Sequence, residues 1–387
     1  MTDMITAWGL GAVMVVTALC LLHLYRKKIP VYPHASHRHV FQILIPARNE
    51  EAVIGSLIES LQNQTYPQDS FRIAVLVNQS SDHTDRISMA HGVEVLKPDM
   101  PVHTKAEVLK FAFRHFQETD TPDAYVIIDA DNVLAPDFLE KMNDALSDGV
   151  LVAQGRRRAK NASDSIISGC YDLYFILQNS FVNCSRDSAA LNGTGWMISQ
   201  KIIQEYGYPA VTMSEDLEYL AISAMQKTGI GYVHEAVTYD EYISTLPGMF
   251  LQLKRWLFGL QQCVRCYTPK LFHAWRAEGN TRCRDALITY LFPVFLIVLF
   301  LMVLVLMILS GNFIPLLILY VLITIAVFLA ALKCGDELPL VWKSIPFFMF
   351  FMALWVPVFI IMAFRRNYVW EEIHHSRDIS IDDIMHH

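Results

Sequence analysis

The sequence predicts an α/β domain built on a mostly parallel sheet and joined to transmembrane helices. Two observations carry this. Between residues 40 and 130, short apolar runs alternate with stretches of helical periodicity, and parallel strands need such crossovers. Elsewhere, residues 7–25, 288–309, 313–332 and 345–364 contain no Asp, Glu, Lys or Arg. Each approaches the length of about 20 residues that crosses a ~30 Å hydrocarbon core. The hydrophobic content of the 387 residues, 53%, is not spread evenly but peaks in these runs, and core helices of soluble domains rarely run so long without a charge.

In chain order, residues 1–28 read as a membrane anchor. A secretory signal peptide is the alternative, but Met1-Thr2-Asp3-Met4 lacks positive charge and no small-residue cleavage site follows. Arg26-Lys27-Lys28 forms a basic flank, which by the positive-inside rule puts the following residues in the cytosol. His34, His37 and His39 fall in a Pro-containing stretch, read as a solvated linker rather than a metal cluster. The main unit, 29–240, has strand-like runs at Val40–Pro46, Phe71–Val77, Val93–Leu96 and Ala124–Asp129. Helical spacing covers 50–63, 82–91 and 104–118, with apolar faces such as Val53, Leu57, Leu61 and Val108, Ala112, Phe116. Interfacial amphipathic helices are expected over 241–285, transmembrane helices over 286–364 and a tail over 365–387.

The net charge of −7 argues against nucleic acid as a partner. Seven cysteines are scattered, and Cys263 with Cys266 makes one CxxC without a second pair. That pattern suits helix packing better than zinc.

Ligands of open parallel sheets bind beyond the carboxyl ends of the strands, and polar clusters stand there. Pro46-Ala47-Arg48-Asn49-Glu50-Glu51 follows the first strand and Asn78 to Asp85 the second. Taken alone, each is a plausible capped loop. Asp129-Ala130-Asp131 follows the fourth strand, and two carboxylates so placed suit a hard divalent cation completed by substrate phosphates. Gly193-Thr194-Gly195-Trp196 comes next, then Ser214-Glu215-Asp216-Leu217-Glu218, whose acids open a helix either as dipole partners or as a general base. Gln252-Leu253-Lys254-Arg255-Trp256 lies on an amphipathic stretch just before a charge-free run, where Trp and basic residues also serve as interfacial anchors.

Together and in this order, these clusters resemble family 2 inverting glycosyltransferases of GT-A fold, in the membrane-bound branch of cellulose, chitin and hyaluronan synthases. The resemblance spans roughly residues 40–262 by motif. It implies that IPARNEE is the first nucleotide-binding strand end, with Pro46, Arg48 and Glu50 at the donor. Asp129 and Asp131 are then the metal and diphosphate motif, for Mg2+ or Mn2+. Asp216, with Glu215, corresponds to the motif that carries the base, and Ser214 stands where Thr is usual. Gln252, Arg255 and Trp256 fill the Q-x-x-R-W motif. Asn78 replaces the usual Asp that contacts the base, and Lys105 stands in a G-K motif that lacks its Gly.

The implied reaction has Asp216 deprotonate an acceptor hydroxyl while it attacks the anomeric carbon of a UDP-sugar, UDP-GlcNAc or UDP-glucose. Lys105 and Arg255 would face the diphosphate. Gly193, Thr194, Trp196 and Trp256 would line the acceptor side, the two rings as sugar platforms. The acceptor is either a growing β-linked saccharide, favoured by Gly193–Trp196, or a lipid, as for ceramide glucosyltransferases. A nucleotide-sensing transporter is the alternative outside enzymes, and the runs lack the ionisable residues of a transport path. The expected setting is the plasma membrane, with the bilayer as partner and the catalytic domain in the cytosol. Three crossings after that domain would leave the tail outside, whereas Arg365-Arg366 favours the cytosol. The run 345–364, interrupted by Pro346 and Pro357, is therefore read as not fully crossing, with Trp370 of a cytosolic tail reaching the site.

Overall fold

The computed structural model describes residues 28–99, 101–119, 121–184, 188–311, 313–333, 338–368 and 378–385. The anchor at 7–25 and Trp370 lie outside them. The strands are β1 Phe41–Ala47, β2 Phe71–Val77, β3 Glu94–Leu96, β4 Ala124–Ile127, β5 Val133–Leu134, β6 Val152–Ala159, β7 Trp196–Ser199 and β8 Gly231–Asp240. The first α-helices are α1 Ile54–Gln62, α2 Thr84–Ala90, α3 Lys105–Thr119, α4 Phe138–Ser147, α5 Ile166–Leu177, α6 Gln200–Tyr206 and α7 Glu215–Met225. There follow α8 Leu246–Glu278, α9 Thr281–Ser310, α10 Ile314–Lys333, α11 Leu338–Val341, α12 Phe348–Ala353, α13 Trp355–Ala363 and α14 Ile381–Met385.

One eight-stranded sheet runs in the order β3-β2-β1-β4-β7-β6-β8-β5. Its first half is parallel, as the alternating pattern predicts. The second half corrects the mostly parallel expectation. β7 is antiparallel to both β4 and β6, and β5 is antiparallel to β8. The reversal follows from where the chain re-enters. Ile127 pairs with Trp196 and Ala124 with Ser199, so β7 starts beside the carboxyl end of β4 and must run back along it.

Helices cover both faces. Leu57, Ile58 and Leu61 of α1 pack with Ile43 and Ile45, while Val108, Ala112 and Phe116 of α3 pack with Leu44 and Leu76. The His-containing stretch before β1 is bound to α4 rather than solvated along its length. Ala35 N–H donates to Asp144, Arg38 to Glu140 at 2.6 Å, and His39 N–H to Asn143, whose amide donates to the His37 carbonyl.

The helix α8 starts with Thr245 capping Gly248 N–H and stops at Gly279, whose φ is +67°. It lies directly on the start of α7. A Cβ at Gly259 would fall 1.9 Å from Ser214 Oγ, so only glycine permits this approach. Glu218 ties the same corner together, accepting from Val211 and Thr212 N–H and from the Tyr267 hydroxyl of α8. Cys263 is buried there, with its thiol 3.7 Å from Thr212 Oγ1, and Cys266 is exposed. Helix packing thus accounts for the CxxC.

Among the described residues, one helical stretch is long and apolar enough to cross a membrane, the 19 residues Ile345–Ala363. The expectation was the reverse, with 288–309 and 313–332 crossing and 345–364 not fully crossing. This stretch is broken where α12 gives way to α13, near Pro357, which cannot donate to the turn before it. α13 packs on α8, and Gln261 donates to the Ala363 carbonyl at 2.7 Å. Beyond it, Asp378 accepts from Ser56 of α1, so residues 378–385 lie on the same body as the sheet.

Arg158 of β6 pairs with Asp172 of α5, both buried, at 3.3 Å, and Asp172 also accepts from Ala159 N–H. Breaking one side of such a pair strands a buried charge. Arg158→Met is expected to lose about 3–5 kcal/mol of stability, read as a fall in the unfolding midpoint. Arg158→Met with Asp172→Leu together should recover part of that loss.

Candidate active site

The loops after β1 and β2 are stitched to each other. Asn49, at φ +57°, accepts from Ser81 N–H, and its own N–H donates to Ser80. Glu50 N–H donates to Thr84 Oγ1, and Glu51 accepts from His83 N–H. Asn49 therefore bridges two loops instead of capping one helix. Asp82 is partly desolvated, which alone would raise its pKa, but hydrogen bonds from Thr84 and Glu51 N–H hold it below the ordinary value. This framework carries Pro46, Arg48 and Glu50, all half-buried, beside Asn78, whose amide donates to the Val102 carbonyl at 3.3 Å.

At the end of β4 lies a polar network. Asn132 donates to Asp131 at 3.1 Å and to Asp240 at 2.8 Å. Its carbonyl oxygen accepts from Thr194 Oγ1, which in turn accepts from Asp129 N–H. Arg157 of β6 grips Asp240 through both Nε and Nη2 and donates to the Asn192 carbonyl at 2.8 Å. Burial alone would lower the Arg157 pKa, but Asp240 keeps it above the ordinary value.

Lys105, the first residue of α3, reaches into the same space. Its ammonium meets Asp129, the Gly193 carbonyl at 2.6 Å and Glu215 at 3.3 Å. Burial works against its charge, yet Asp129, Glu215 and Asp216 together hold its pKa above the usual value. Burial and the neighbouring Asp216 push Glu215 up to about 7, against the pull of Lys105. Asp216 is raised by burial, with Leu217 N–H, Lys105 and Arg157 opposing.

Gly193 brings these groups together. At φ +83° it takes a backbone form that side chains resist, and a Cβ there would sit 3.6 Å from Asp216 Oδ2 and 3.9 Å from Asp129 Oδ2. The expected base and the expected diphosphate carboxylate thus flank one bare stretch of backbone.

Three carboxylates near the strand ends, Glu50, Asp129 and Asp131, are the donor type a divalent cation takes, but their ligand atoms do not all lie within 4.8 Å of one another; Glu50 Oε2 is buried without a hydrogen-bond partner. Burial, then Asp131 and Asp129, push Glu50 up to about 9, so the cluster holds more negative charge than it can ionise unaided. A separate group, His34, Glu140 and Asp144, has ligand atoms within 4.8 Å of one another. Glu140 and Asp144 are the α4 acceptors of the clasp already described, and His34 lies 3.4 and 3.5 Å from them.

Two expected substrate contacts are corrected. Trp196 is 0% exposed in β7, with Tyr208 and Tyr219 at 6.3 and 5.8 Å, so its indole is core and no sugar platform. Thr194 is also 0% exposed and spends its hydroxyl on Asn132 and Asp129. Of the Q-x-x-R-W residues, Gln252 is buried, while Arg255 and Trp256 are half-buried on α8. Trp256 lies 5.8 Å from the Tyr171 ring and 6.1 Å from Trp355.

Arg157, Asp240 and Tyr174 were not singled out by sequence. The run Arg156-Arg157-Arg158 between Gly155 and Ala159 was the available signal, since a strand with three guanidinium groups must pair some of them. Arg157 also stacks on Phe175 at 4.4 Å and Tyr242 at 5.4 Å.

The raised Glu50 pKa has a stability consequence. The folded carboxyl titrates near 9 and the unfolded one near 4.5, so the folded state holds the extra proton between them and stability falls as pH rises through that window. Metal-free Glu50→Gln should match the wild type in melting temperature near pH 4.5 and gain on it steadily toward pH 9. A gap that does not change with pH would overturn this account of Glu50.

Residues 37–259 match the family described as Glycosyltransferase like family 2. The probable glycosyltransferase YdaM of Bacillus subtilis (strain 168) is 26% identical over 247 residues, which cover 59% of this chain and 57% of that protein. The beta-monoglucosyldiacylglycerol synthase of Trichormus variabilis is 23% identical over 227 residues, 56% of this chain and 48% of that protein. The match thus spans about half the length of these relatives. Among solved structures, the mannosyltransferase PcManGT from Pyrobaculum calidifontis, in complex with GDP-Man and Mn2+, aligns with a TM-score of 0.57 at 17% identity. That alignment covers 92% of this chain and 97% of that one, and it shows a shared fold. With the family match covering more than half of its length, the chain belongs to glycosyltransferase family 2.

Proposed function

We propose that this chain is an inverting glycosyltransferase that moves one sugar from a nucleoside-diphosphate donor to the hydroxyl of a lipid acceptor at a membrane. The observation that carries the reading is the pairing of Asp216 and Asp129 across Gly193. A sugar bound there has a base on one side and the diphosphate end of the site on the other.

Asp216 takes the proton of the attacking hydroxyl, and its raised pKa suits that task. A Mg2+ or Mn2+ ion held by Asp131 and Asp129, with Glu50 adjacent, would neutralise the diphosphate charge. Lys105 exchanges its carboxylate contacts for phosphate oxygens as the donor enters. Arg255, permanently charged, faces the leaving group. Asn78 and the β1 loop hold the nucleoside, and its amide oxygen leaves uridine the expected base. UDP-glucose and UDP-GlcNAc are the donors to try first, with GDP-mannose added because the fold relative is complexed with it.

The lipid reading is preferred over chain elongation for two reasons. Elongation drew on Gly193–Trp196, and the ring in that motif is buried. The site also continues through aromatic rings toward the apolar C-terminal helices, and two relatives are named beta-monoglucosyldiacylglycerol synthases. Exposed apolar side chains such as Phe295 and Val298 on α9, and Leu317 on α10, support a bilayer setting.

The test is transfer from radiolabelled donors to diacylglycerol, ceramide and soluble oligosaccharides, with product sizing. A single sugar on a lipid is expected. Activity should vanish in EDTA and return with Mn2+ or Mg2+. Asp216→Asn should lose about 10²–10⁴-fold in turnover while retaining donor affinity. Turnover that survives either treatment would remove the corresponding role, and a long saccharide product would replace the lipid acceptor.

A further inference from the structure

A run of rings leads from Tyr174 on α5 to the C-terminal helices. Tyr174 on α5 is half-buried. Burial and the nearby charge of Asp216 push its phenol up to about 12. The Tyr174 ring lies 5.2 Å from Trp355, at 37°. Trp355 opens α13 and lies 6.1 Å from Trp256, at 56°. Tyr174 and Trp256 belong to different helices and each keeps part of its surface open, whereas Trp355 between them is 8% exposed. The stretch that supplies Trp355 also presents Phe350, Leu354 and Ile361 outward, at 58%, 36% and 56% exposure.

A residue wedged between two partly open rings fixes their separation. Here one ring stands on α5, the other belongs to the Q-x-x-R-W segment of α8, and the wedge comes from the apolar helices. We infer that Trp355 is a positioning residue for the acceptor, holding Tyr174 and Trp256 as the two walls of the slot in which an amphiphile's hydroxyl meets Asp216. The amphiphile's apolar chain then follows the exposed face of the Phe350–Ile361 stretch. This rests on the proposed lipid acceptor and adds what selects it. Ordinary core packing would also bury Trp355, but it gives no reason for acceptor and donor affinity to respond differently to its loss.

The experiment uses the full chain in nanodiscs, with acceptor KM, donor KM and kcat measured separately. The wild type is assayed first on the lipid and saccharide panel. Trp355→Leu should raise the lipid acceptor KM about three- to tenfold, the size of an aromatic pair contribution, and leave the donor KM unchanged. Trp355→Phe should restore most of it. Tyr174→Leu alone should act in the same direction, and the double variant should show less than the product of the two effects. An unchanged acceptor KM in folded Trp355→Leu overturns the inference, as does a parallel rise in both KM values or full multiplicativity with Tyr174→Leu. If Trp355→Leu does not fold, Trp355→Met takes its place, alone and combined with Tyr174→Leu, with the same outcomes deciding. A wild type that transfers only to soluble saccharides overturns the acceptor reading, and this role with it, before any variant is made.

Discussion

Negative charge gathered at one end of a sheet is what the rest of this structure has to accommodate. Glu50, Asp129, Asp131, Glu215, Asp216 and Asp240 all stand at or near the strand ends, and several are buried. Carboxylates in such surroundings repel one another and lose hydration, so the raised values of Glu50, Glu215 and Asp216 have one common origin. Lys105 and Arg157 are cations embedded in the cluster, and they divide it. Lys105 serves the side facing the base, and Arg157 anchors the side behind Asp131.

That division accounts for the backbone between them. The loop Asn192–Gly195 is held by Arg157 at Asn192, by the Gln154 amide at the Thr194 and Gly195 carbonyls, and by Lys105 at the Gly193 carbonyl. Each of these donors reaches a backbone oxygen, so the loop is shaped without side chains entering the gap. Asn132 then joins the loop to Asp131 and Asp240.

Much of this was legible in the sequence because parallel strands place polar residues at one end by geometry. The loops after β1, β2 and β4, Asp129 among them, fall where the strand-end rule puts them, whereas Glu215 opens α7 and Arg255 lies inside α8, where that rule says nothing. The antiparallel half of the sheet was not legible. β5 and β7 are two and four residues long, too short for periodicity to register. Trp196 misled for a related reason: in a strand, neighbouring side chains alternate in direction, and its pairing with Ile127 turns it into the core just beyond the Gly193–Gly195 turn. Arg157 and Asp240 lie 83 positions apart, and Tyr174 meets Trp355 from a helix far along the chain. Partners at such separations leave no local pattern to read.

The contact between Ser56 and Asp378 carries a topological consequence. A chain that leaves a domain on one side of a bilayer and later touches that domain again has crossed an even number of times. If α9 and α10 enter a bilayer as a hairpin, they account for two passages, and α12 with α13 adds none. On the proposed membrane setting, the broken Ile345–Ala363 stretch, though long and apolar enough to cross, would then lie along the interface. An odd count would require the Ser56–Asp378 contact to be absent from the membrane-bound protein.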